Sequence, residues 1–396
     1  LFKNKLTPDN YDVLNSKAKL TLTNDKYDFT AGFESYENLQ LISSDRYQYI
    51  LPYYSFDKQI LTEFDNGFIN FSSFGSNDLN NTNNLKTRII NDLNFQSLDL
   101  MTDYGFKNNY NIYMKNLNTT AKNDSQYKSS PQVELMSILE FNSSLPMIDE
   151  DENNINYLTP KISLRFNPSD MKNYSDADRK VSVNNIFEIN RLGIDDSFEE
   201  GKSLTLGIDF KKVNIQNINK FFEAKLATVY REDDENFIPS SSGIDKKNSN
   251  FFGSVSNNFS EFINVGYDFI IDNDFNTLKY NSLNTTLNFK NLTTEFNFIE
   301  ENGEFGDGNT LENKTKLKFN DDHYLTFNSR RNRKISLTEY YDLIYEYKND
   351  CLVAGLKFKK TFYQDRDLEP SEDLFFYLTL IPLTTLEQGI DEEIYK

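Results

Sequence analysis

The stretch Leu337-Thr-Glu-Tyr-Tyr-Asp-Leu-Ile-Tyr-Glu-Tyr-Lys348 decides the fold of this chain. One set of alternate positions is apolar or aromatic, with Glu339 as the exception, and the other set is mainly polar. After a short turn the alternation restarts in Leu352-Val-Ala-Gly-Leu-Lys-Phe-Lys-Lys-Thr-Phe362. Because successive side chains of a strand point to opposite faces, this period of two predicts a hairpin with one apolar and one polar side.

Strand-like runs of this kind recur along the whole chain. The run Leu374–Leu383 is rich in aromatic residues, and we predict it to be the terminal strand. Helical signals are weak, because Ala is scarce and the abundant Asn disfavours helix interiors. We identify about nineteen candidate strands by pattern, at residues 16–23, 27–36, 46–56, 67–74, 85–100, 104–117, 131–141, 157–167, 203–213, 220–230, 250–257, 261–271, 278–289, 291–299, 311–319, 322–329, 337–347, 351–363 and 374–383.

Composition excludes several classes of function. The net charge of −19 argues against nucleic acid as a partner, since phosphate binding needs a basic surface. With one Cys and one His, the chain can form neither an internal disulfide nor a zinc site made of several such ligands. No catalytic set is evident around His323, so we expect no enzymatic activity, no cofactor and no metal.

The same composition favours a membrane barrel. Aromatic residues make up 15% of the chain, all Phe and Tyr, in short alternating runs separated by Asn-, Asp- and Ser-rich stretches. No apolar run approaches the roughly 18 residues that a spanning helix needs. We therefore predict an all-β fold, a large antiparallel transmembrane β-barrel that is integral to the Gram-negative outer membrane and formed by residues 1–396 as one domain.

The connecting loops support this prediction. Outer-membrane barrels have short periplasmic turns and longer external loops. With the C-terminus in the periplasm, the turns at 348–350, 320–321, 290 and 258–260 are periplasmic and short. The loops at 364–373, 330–336, 300–310, 231–249 and 168–202 are external, and most are longer. The acidic stretch Asn142–Asn156 does not fit, because it falls on the periplasmic side and is too long.

Several segments resemble the lipopolysaccharide-assembly outer-membrane protein (LptD) family, in the same order along the chain. They are Ile186-Phe-Glu-Ile-Asn-Arg-Leu-Gly-Ile-Asp-Asp-Ser-Phe-Glu-Glu-Gly201 followed by Leu204–Asp209, Ile238-Pro-Ser-Ser-Ser-Gly243 followed by Asn248–Gly253, Arg330–Arg333 with Leu337, Tyr341, Tyr345, Asn349 and Cys351, and Tyr47–Tyr54. The resemblance implies a C-terminal barrel region. It also implies that a signal peptide, a periplasmic jelly-roll domain and the first barrel strands precede Leu1.

The resemblance also implies a function. Such a barrel inserts lipopolysaccharide into the outer leaflet through its lumen and a lateral gate. The implied partners are lipopolysaccharide, outer-membrane lipids, an LptE-like plug lipoprotein and an LptA-like periplasmic bridge protein that contacts the missing N-terminal domain. A passive porin or nutrient channel is the alternative, and a soluble, surface-exposed β-sheet protein is a third hypothesis.

Three sites follow from these expectations. In the family the Cys equivalent to Cys351 is disulfide-bonded to the N-terminal domain; alternatively, Cys351 is a lone residue facing the lumen. Pro382 cannot donate a ladder hydrogen bond and is a candidate for the lateral gate, or it merely ends its strand. Arg330, Arg331, Arg333 and Lys334 form a basic cluster that could contact lipopolysaccharide phosphates, or they are solvated hairpin charges.

Overall fold

The computed structural model describes residues 13–39, 46–60, 67–80, 83–124, 126–362, 370–381 and 384–390. These residues form a single 22-stranded sheet, interrupted only by turns, loops and two short 3-10 turns. The strands are β1 (Val13–Asn24), β2 (Tyr27–Asn38), β3 (Tyr47–Ile60), β4 (Gly67–Asn80), β5 (Asn84–Ser97), β6 (Leu100–Met101), β7 (Lys107–Lys122), β8 (Gln132–Ser144), β9 (Met147–Glu150), β10 (Asn154–Asn167), β11 (Gly201–Asn214), β12 (Phe221–Arg231), β13 (Phe251–Ser260), β14 (Ile263–Ile271), β15 (Leu278–Phe289), β16 (Leu292–Glu301), β17 (Asn309–Lys318), β18 (His323–Asn332), β19 (Leu337–Lys348), β20 (Leu352–Thr361), β21 (Ser371–Leu380) and β22 (Thr384–Ile390).

Each strand pairs antiparallel with its neighbours in sequence, from β1–β2 to β21–β22. Two short strands are continuations: β6 extends β5 along β7, and β9 extends β8 along β10. Antiparallel neighbours need only tight connections, so a meander of this kind can grow to many strands. The large antiparallel sheet predicted from the sequence is confirmed, and about nineteen predicted strands agree with the observed count.

The two faces of the sheet differ in chemistry. On β10, Ile162, Leu164 and Phe166 are 40–48% exposed, whereas the alternating Ser163, Arg165 and Asn167 are buried. The polar residues therefore face inward and the apolar residues face outward, the reverse of a soluble protein. Apolar side chains exposed along successive strands require a hydrocarbon environment, which is the arrangement of a transmembrane barrel.

Several described connections sort by end of the sheet as predicted: those at residues 349–351, 319–322 and 290–291 are short, whereas those at 168–200 and 232–250 at the other end are long. Most of the predicted loop 364–373 lies outside the described residues. The stretch 142–156 is mostly strand rather than loop, since β8 and β9 occupy one side of a tight turn and β10 begins the other. Asp151 Oδ1 closes this turn by accepting the backbone N–H groups of Asn153 and Asn154 at 2.9 and 2.7 Å. The periplasmic turn at this position is therefore short, and the one exception to the sorting is removed.

Two details of the C-terminal region differ from the expectation. The strand predicted at 374–383 is β21, which is followed by a further strand, β22, so it is not terminal. The register between β18 and β19 shifts at Arg330/Arg331, where Glu339 is the extra residue. This bulge explains why Glu339 breaks the alternation that identifies the strand.

Within the described residues, no helix has the length and apolar character needed to cross a membrane.

Candidate functional site

Residues 168–200, the connection between β10 and β11, fold into the lumen of the barrel, and we call them the inserted segment. They contain turns but no regular secondary structure. Side-chain amides accept backbone hydrogen bonds that a β-ladder would otherwise accept. Asn185 Oδ1 accepts the N–H of Ser182 at 2.8 Å, and Asn190 Oδ1 accepts the N–H of Ile194 at 2.8 Å. Asn favours such local bonds, so an Asn-rich stretch can satisfy buried backbone without helix or strand.

Apolar side chains anchor the segment to the inner face of one part of the barrel wall, which is formed by the strands of the sheet. Val181, Ile186, Leu192 and their neighbours pack against β12, β13 and β14. The buried cluster consists of Met171, Val181, Val183, Ile186, Leu192, Ile194, Ala227, Val229, Ile238, Ile244, Phe252, Ile270 and Phe305. The segment therefore has a core of its own inside the barrel.

The C-terminal end of the segment contacts a second part of the wall, β5–β8. Phe198 packs with residues of β5, β7 and β8, namely Ile90, Leu117, Ala121, Met136 and Ile138. Since β5–β8 and β12–β14 contact the same segment with the same face, the sheet curls around it.

Two external loops cover the segment. Ile238 and Ile244 belong to the β12–β13 loop, and Phe305 belongs to the β16–β17 loop; all three are essentially fully buried. Ser241 Oγ accepts the backbone N–H of Arg179 at 3.1 Å, which joins the β12–β13 loop to the segment. The motif Ile238–Gly243, noted in the sequence for its resemblance, is thus part of the lid over the lumen.

A buried charge triad locks the C-terminal part of the segment to the wall. The Arg191 side chain has no exposed surface and donates to both oxygens of Glu199 at 2.6 Å, and its Nη1 donates to Thr205 Oγ1 at 3.0 Å. Arg231 of β12 also donates to Glu199, at 3.2 Å. Burial alone disfavours the charged carboxylate, but the two guanidinium groups outweigh it and hold the pKa of Glu199 at about 2.

A second buried ion pair lies next to this triad. Arg165 of β10 donates through Nε to Glu140 of β8 at 2.9 Å and through Nη2 to the carbonyl of Glu188 in the segment at 2.6 Å. Both side chains are at least 95% buried. Arg165 therefore joins two strands of the wall to the segment through charge-assisted hydrogen bonds.

Gly207 provides the space for an aromatic contact. A Cβ at this position on β11 would lie 2.7 Å from Cζ of Phe187 in the segment. The ring of Phe187 therefore lies directly on the backbone of the wall, and any larger residue at position 207 would displace it.

A cavity of about 430 Å3 remains between the segment and β4, β5 and β7. It is lined by Ser72, Phe74, Arg88, Ile90, Asp92, Asn94, Tyr113, Lys115, Ile189, Asn190, Ile194, Asp195 and Phe198. Asp196 lies beside this region, is 2% exposed and accepts a hydrogen bond from the hydroxyl of Tyr174. Burial raises the pKa of the Asp196 carboxyl.

The predicted basic cluster is largely neutralised. Arg330 forms ion pairs with Glu339 at 2.8 Å and Glu312 at 3.5 Å, and Lys334 pairs with Asp307. Arg333 lies over the ring of Phe298 at 5.1 Å. Together with Arg331, these residues lie at the β18–β19 hairpin, far along the chain from the inserted segment. Phosphate binding by Arg330, Arg331, Arg333 and Lys334 stays a prediction.

Cys351, a second predicted site, lies at the opposite end of the barrel. Cys351 is a free, exposed thiol in the short β19–β20 turn, and its carbonyl accepts the N–H of Ile381 at 2.8 Å. A disulfide from Cys351 to a further domain stays a prediction. Pro382, the candidate for the lateral gate, falls outside the described residues.

The outward apolar side chains, the inward polar ones and the two classes of loop define an integral β-barrel of the Gram-negative outer membrane, with part of its own chain folded inside. Neither a family model nor a curated protein matches the sequence.

Solved structures of large outer-membrane barrels are similar in fold. The siderophore receptor PirA from Pseudomonas aeruginosa is 8% identical, with a TM-score of 0.45 over 97% of this chain and 73% of that one. A mutant of the ferric enterobactin receptor PfeA from the same organism is 9% identical, with a TM-score of 0.42 over 98% and 73%. The copper transporter OprC is 8% identical, with a TM-score of 0.39 over 95% and 72%.

These comparisons correct the family assignment made from the sequence. The matched structures are siderophore receptors and a copper transporter, and no family model supports a lipopolysaccharide-assembly (LptD) barrel. The assignment is therefore wrong, and so are the function and the partners it implied: lipopolysaccharide, the LptE-like lipoprotein and the LptA-like bridge protein. In physical terms, the motif at 186–201 supplies Arg191 and Glu199, which bind Thr205 and Arg231 of the wall and hold the inserted segment in place, a packing role.

The alternative of a passive porin is also not supported. The matched structures are receptors and a transporter, and the inserted segment places an apolar core and buried ion pairs inside the barrel. Sequence reasoning did not recognise this segment as a site. The signals were the length of the loop and its cluster of Ile, Val and Leu among polar residues, which an exposed loop does not need.

Proposed function

We propose that the protein is a gated outer-membrane transporter that takes up a specific solute, with the inserted segment as its gate. The segment contacts both β5–β8 and β12–β14 inside the barrel, so its movement would widen the path of a solute along this part of the wall. The observation that carries this proposal is the buried Arg191–Glu199–Arg231 triad, in which the segment supplies Arg191 and Glu199 and the wall supplies Arg231.

The ends of the segment allow a clean test. Asn167 and Gly201 are direct partners in the β10–β11 ladder, so a tight turn can replace residues 168–200 without disturbing the strands. We expect this variant to conduct ions in planar bilayers and to admit sugars in a liposome-swelling assay, whereas the native protein stays closed.

A matched control is an exchange of the β14–β15 turn, residues 273–276, which closes through the N–H of Asp272 and the carbonyl of Thr277 at 3.0 Å. This variant should remain closed. If replacing residues 168–200 leaves the native conductance unchanged in a folded, heat-modifiable barrel, the segment is not the gate.

We further propose that transport involves no covalent chemistry. The single His, His323, lies at the end with the short turns, where its Nδ1 is 2.6 Å from the hydroxyl of Tyr345 on the outward face. This position suits an aromatic residue at the membrane boundary rather than a catalytic base in the lumen.

A further inference from the structure

The cavity between the inserted segment and β4, β5 and β7 has the composition of a ligand site. Its volume of about 430 Å3 is within the range of small-molecule pockets. Aromatic and aliphatic side chains line it together with two amides, two basic groups and two carboxylates. It lies against the proposed gate, so a ligand bound there would contact both the segment and the wall.

Two of the four charged groups satisfy each other. Lys115 of β7 is 95% buried and lies 2.7 Å from Asp92 of β5, with its ammonium 5.1 Å from the ring of Phe198. This pair is structural, because it supports the contact between Phe198 and the wall.

The other two charged groups, Arg88 and Asp195, can interact with a ligand in the cavity. Arg88 Nε is buried without a hydrogen-bond partner, and its Nη2 lies 3.4 Å from Asp78, a long contact. Within the described residues, the exposed carboxylate of Asp195 has no ion-pair partner within 4.0 Å. The cavity therefore offers one buried guanidinium N–H without a hydrogen-bond partner, from the wall, and one carboxylate without an ion-pair partner, from the segment.

We propose that this cavity binds a small zwitterion with an apolar middle, of the size and chemistry of a short peptide. The inference rests on the proposed function, since it names the substrate class of the same lumen. The ligand carboxylate is held by Arg88, the ammonium by Asp195, and the apolar side chain lies among Phe74, Tyr113 and Phe198. A purely anionic ligand would be repelled by Asp195, and a purely cationic one by Arg88.

The dimensions agree with a tripeptide. Arg88 and Asp92 lie four residues apart on one strand, so this wall of the cavity is on the order of 13 Å long. An extended tripeptide spans about 10 Å and therefore fits along this wall. Binding would bridge the segment and the wall, which connects the occupancy of the cavity to the position of the gate.

The test is isothermal titration of the purified full chain in detergent with Ala-Phe-Ala and three blocked forms: N-acetylated, C-amidated and doubly blocked. We expect the free tripeptide to bind about tenfold to a hundredfold more tightly than any blocked form, because each blocked end removes one charge-assisted contact.

Two variants test which residue of the protein binds each end of the peptide. Arg88→Gln should bind the free and the C-amidated peptides equally, and Asp195→Asn should bind the free and the N-acetylated peptides equally. The exposed residues Lys290 and Asp321, in turns at the other end of the barrel, supply the matched controls Lys290→Gln and Asp321→Asn, which should keep the native preference.

Equal affinity for all four peptides, or no binding by any of them, would overturn the inference. So would a loss of affinity in Arg88→Gln or Asp195→Asn that is the same for all four peptides. Each of these outcomes leaves the conductance of the barrel lacking residues 168–200 as a separate test of the gate. The two proposals can therefore fail independently.

Discussion

The substitution Glu199→Gln is expected to loosen the gate while leaving the barrel intact. It keeps the size of the side chain but removes the charge that compensates two buried guanidinium groups. Arg191 has no exposed surface and Arg231 is 97% buried, so neither can be solvated in place. The variant must either keep two uncompensated buried charges or release the segment into water.

The expected magnitude can be estimated in two ways. Removing one partner of a buried ion pair typically costs about 3–5 kcal/mol. Independently, the pKa of Glu199 falls from its ordinary value of 4.5 to about 2, and at 1.36 kcal/mol per unit this is about 3 kcal/mol of stabilisation. Because Arg191 belongs to the segment itself, the closed state should lose up to about 3 kcal/mol, which raises the open population by up to about a hundredfold.

The assay is single-channel recording in planar bilayers together with amide hydrogen exchange of residues 168–200. Glu199→Gln should show brief conducting events and about a hundredfold lower protection of the segment, with unchanged protection of the strands. The exposed pair Lys202–Glu232 supplies the control Glu232→Gln, which should change protection less than about fivefold, because exposed pairs contribute about 0–1 kcal/mol. Native conductance and protection in Glu199→Gln would refute the reasoning.

The pH dependence follows from the same group. Because the pKa of Glu199 is lowered in the closed state, its stabilisation is complete above its ordinary value of 4.5 and is lost as the pH falls towards about 2. Asp196 acts in the opposite direction, since burial raises its pKa and its contribution to the closed state is lost as the pH rises through that value. Opening of the gate as the pH falls from 4.5 towards about 2 should therefore be present in the native protein and absent in Glu199→Gln.

Three further predictions concern the wall and the turns. Gly207→Ala should displace the ring of Phe187 and increase conducting events without lowering barrel yield, as measured by the same recordings. Leu343→Arg, on the outward face of β19, should destabilise the barrel in lipid by about 2–4 kcal/mol by reversible unfolding in urea, whereas Glu346→Arg on the inward face should cost less than about 1 kcal/mol. Cys351 should react with a membrane-impermeant maleimide from the side of the short turns only, and labelling from the other side would reverse the orientation assigned here.

Strand positions could be predicted from the sequence because a barrel wall imposes a local rule. Every second residue faces lipid, so the alternation is visible without knowing the partners of a strand, as in Ile263–Ile271 or Leu278–Phe289. The rule failed where the local pattern is broken or weak. Glu339 is a bulge, and the short strands β9 and β22 have too few alternating positions to be distinguished from loop.

The inserted segment could not be predicted because its order comes from distant parts of the chain. Its apolar residues have no period, since they contact β12–β14 on one side and β5–β8 on the other. The buried partner of Glu199 on the wall, Arg231, is separated from it by β11. A motif match at 186–201 therefore marked the right residues but suggested the wrong role, because sequence order does not show that the loop turns inward.

The relative strength of the two kinds of anchor determines how the gate opens. Six apolar residues of the segment are buried in the cluster on β12–β14, and at about 1.5–3 kcal/mol each they contribute on the order of 10 kcal/mol. The triad contributes about 3 kcal/mol, and the end near β5–β8 is held by Phe198, by the hydrogen bond from Arg165 to the Glu188 carbonyl and by the Lys172–Glu134 pair. Loss of the triad should therefore free the Phe198 end while the apolar end stays attached. It follows that Glu199→Gln should conduct less per event than the barrel lacking residues 168–200. Equal conductance in the two variants would show that the segment leaves the lumen as one unit.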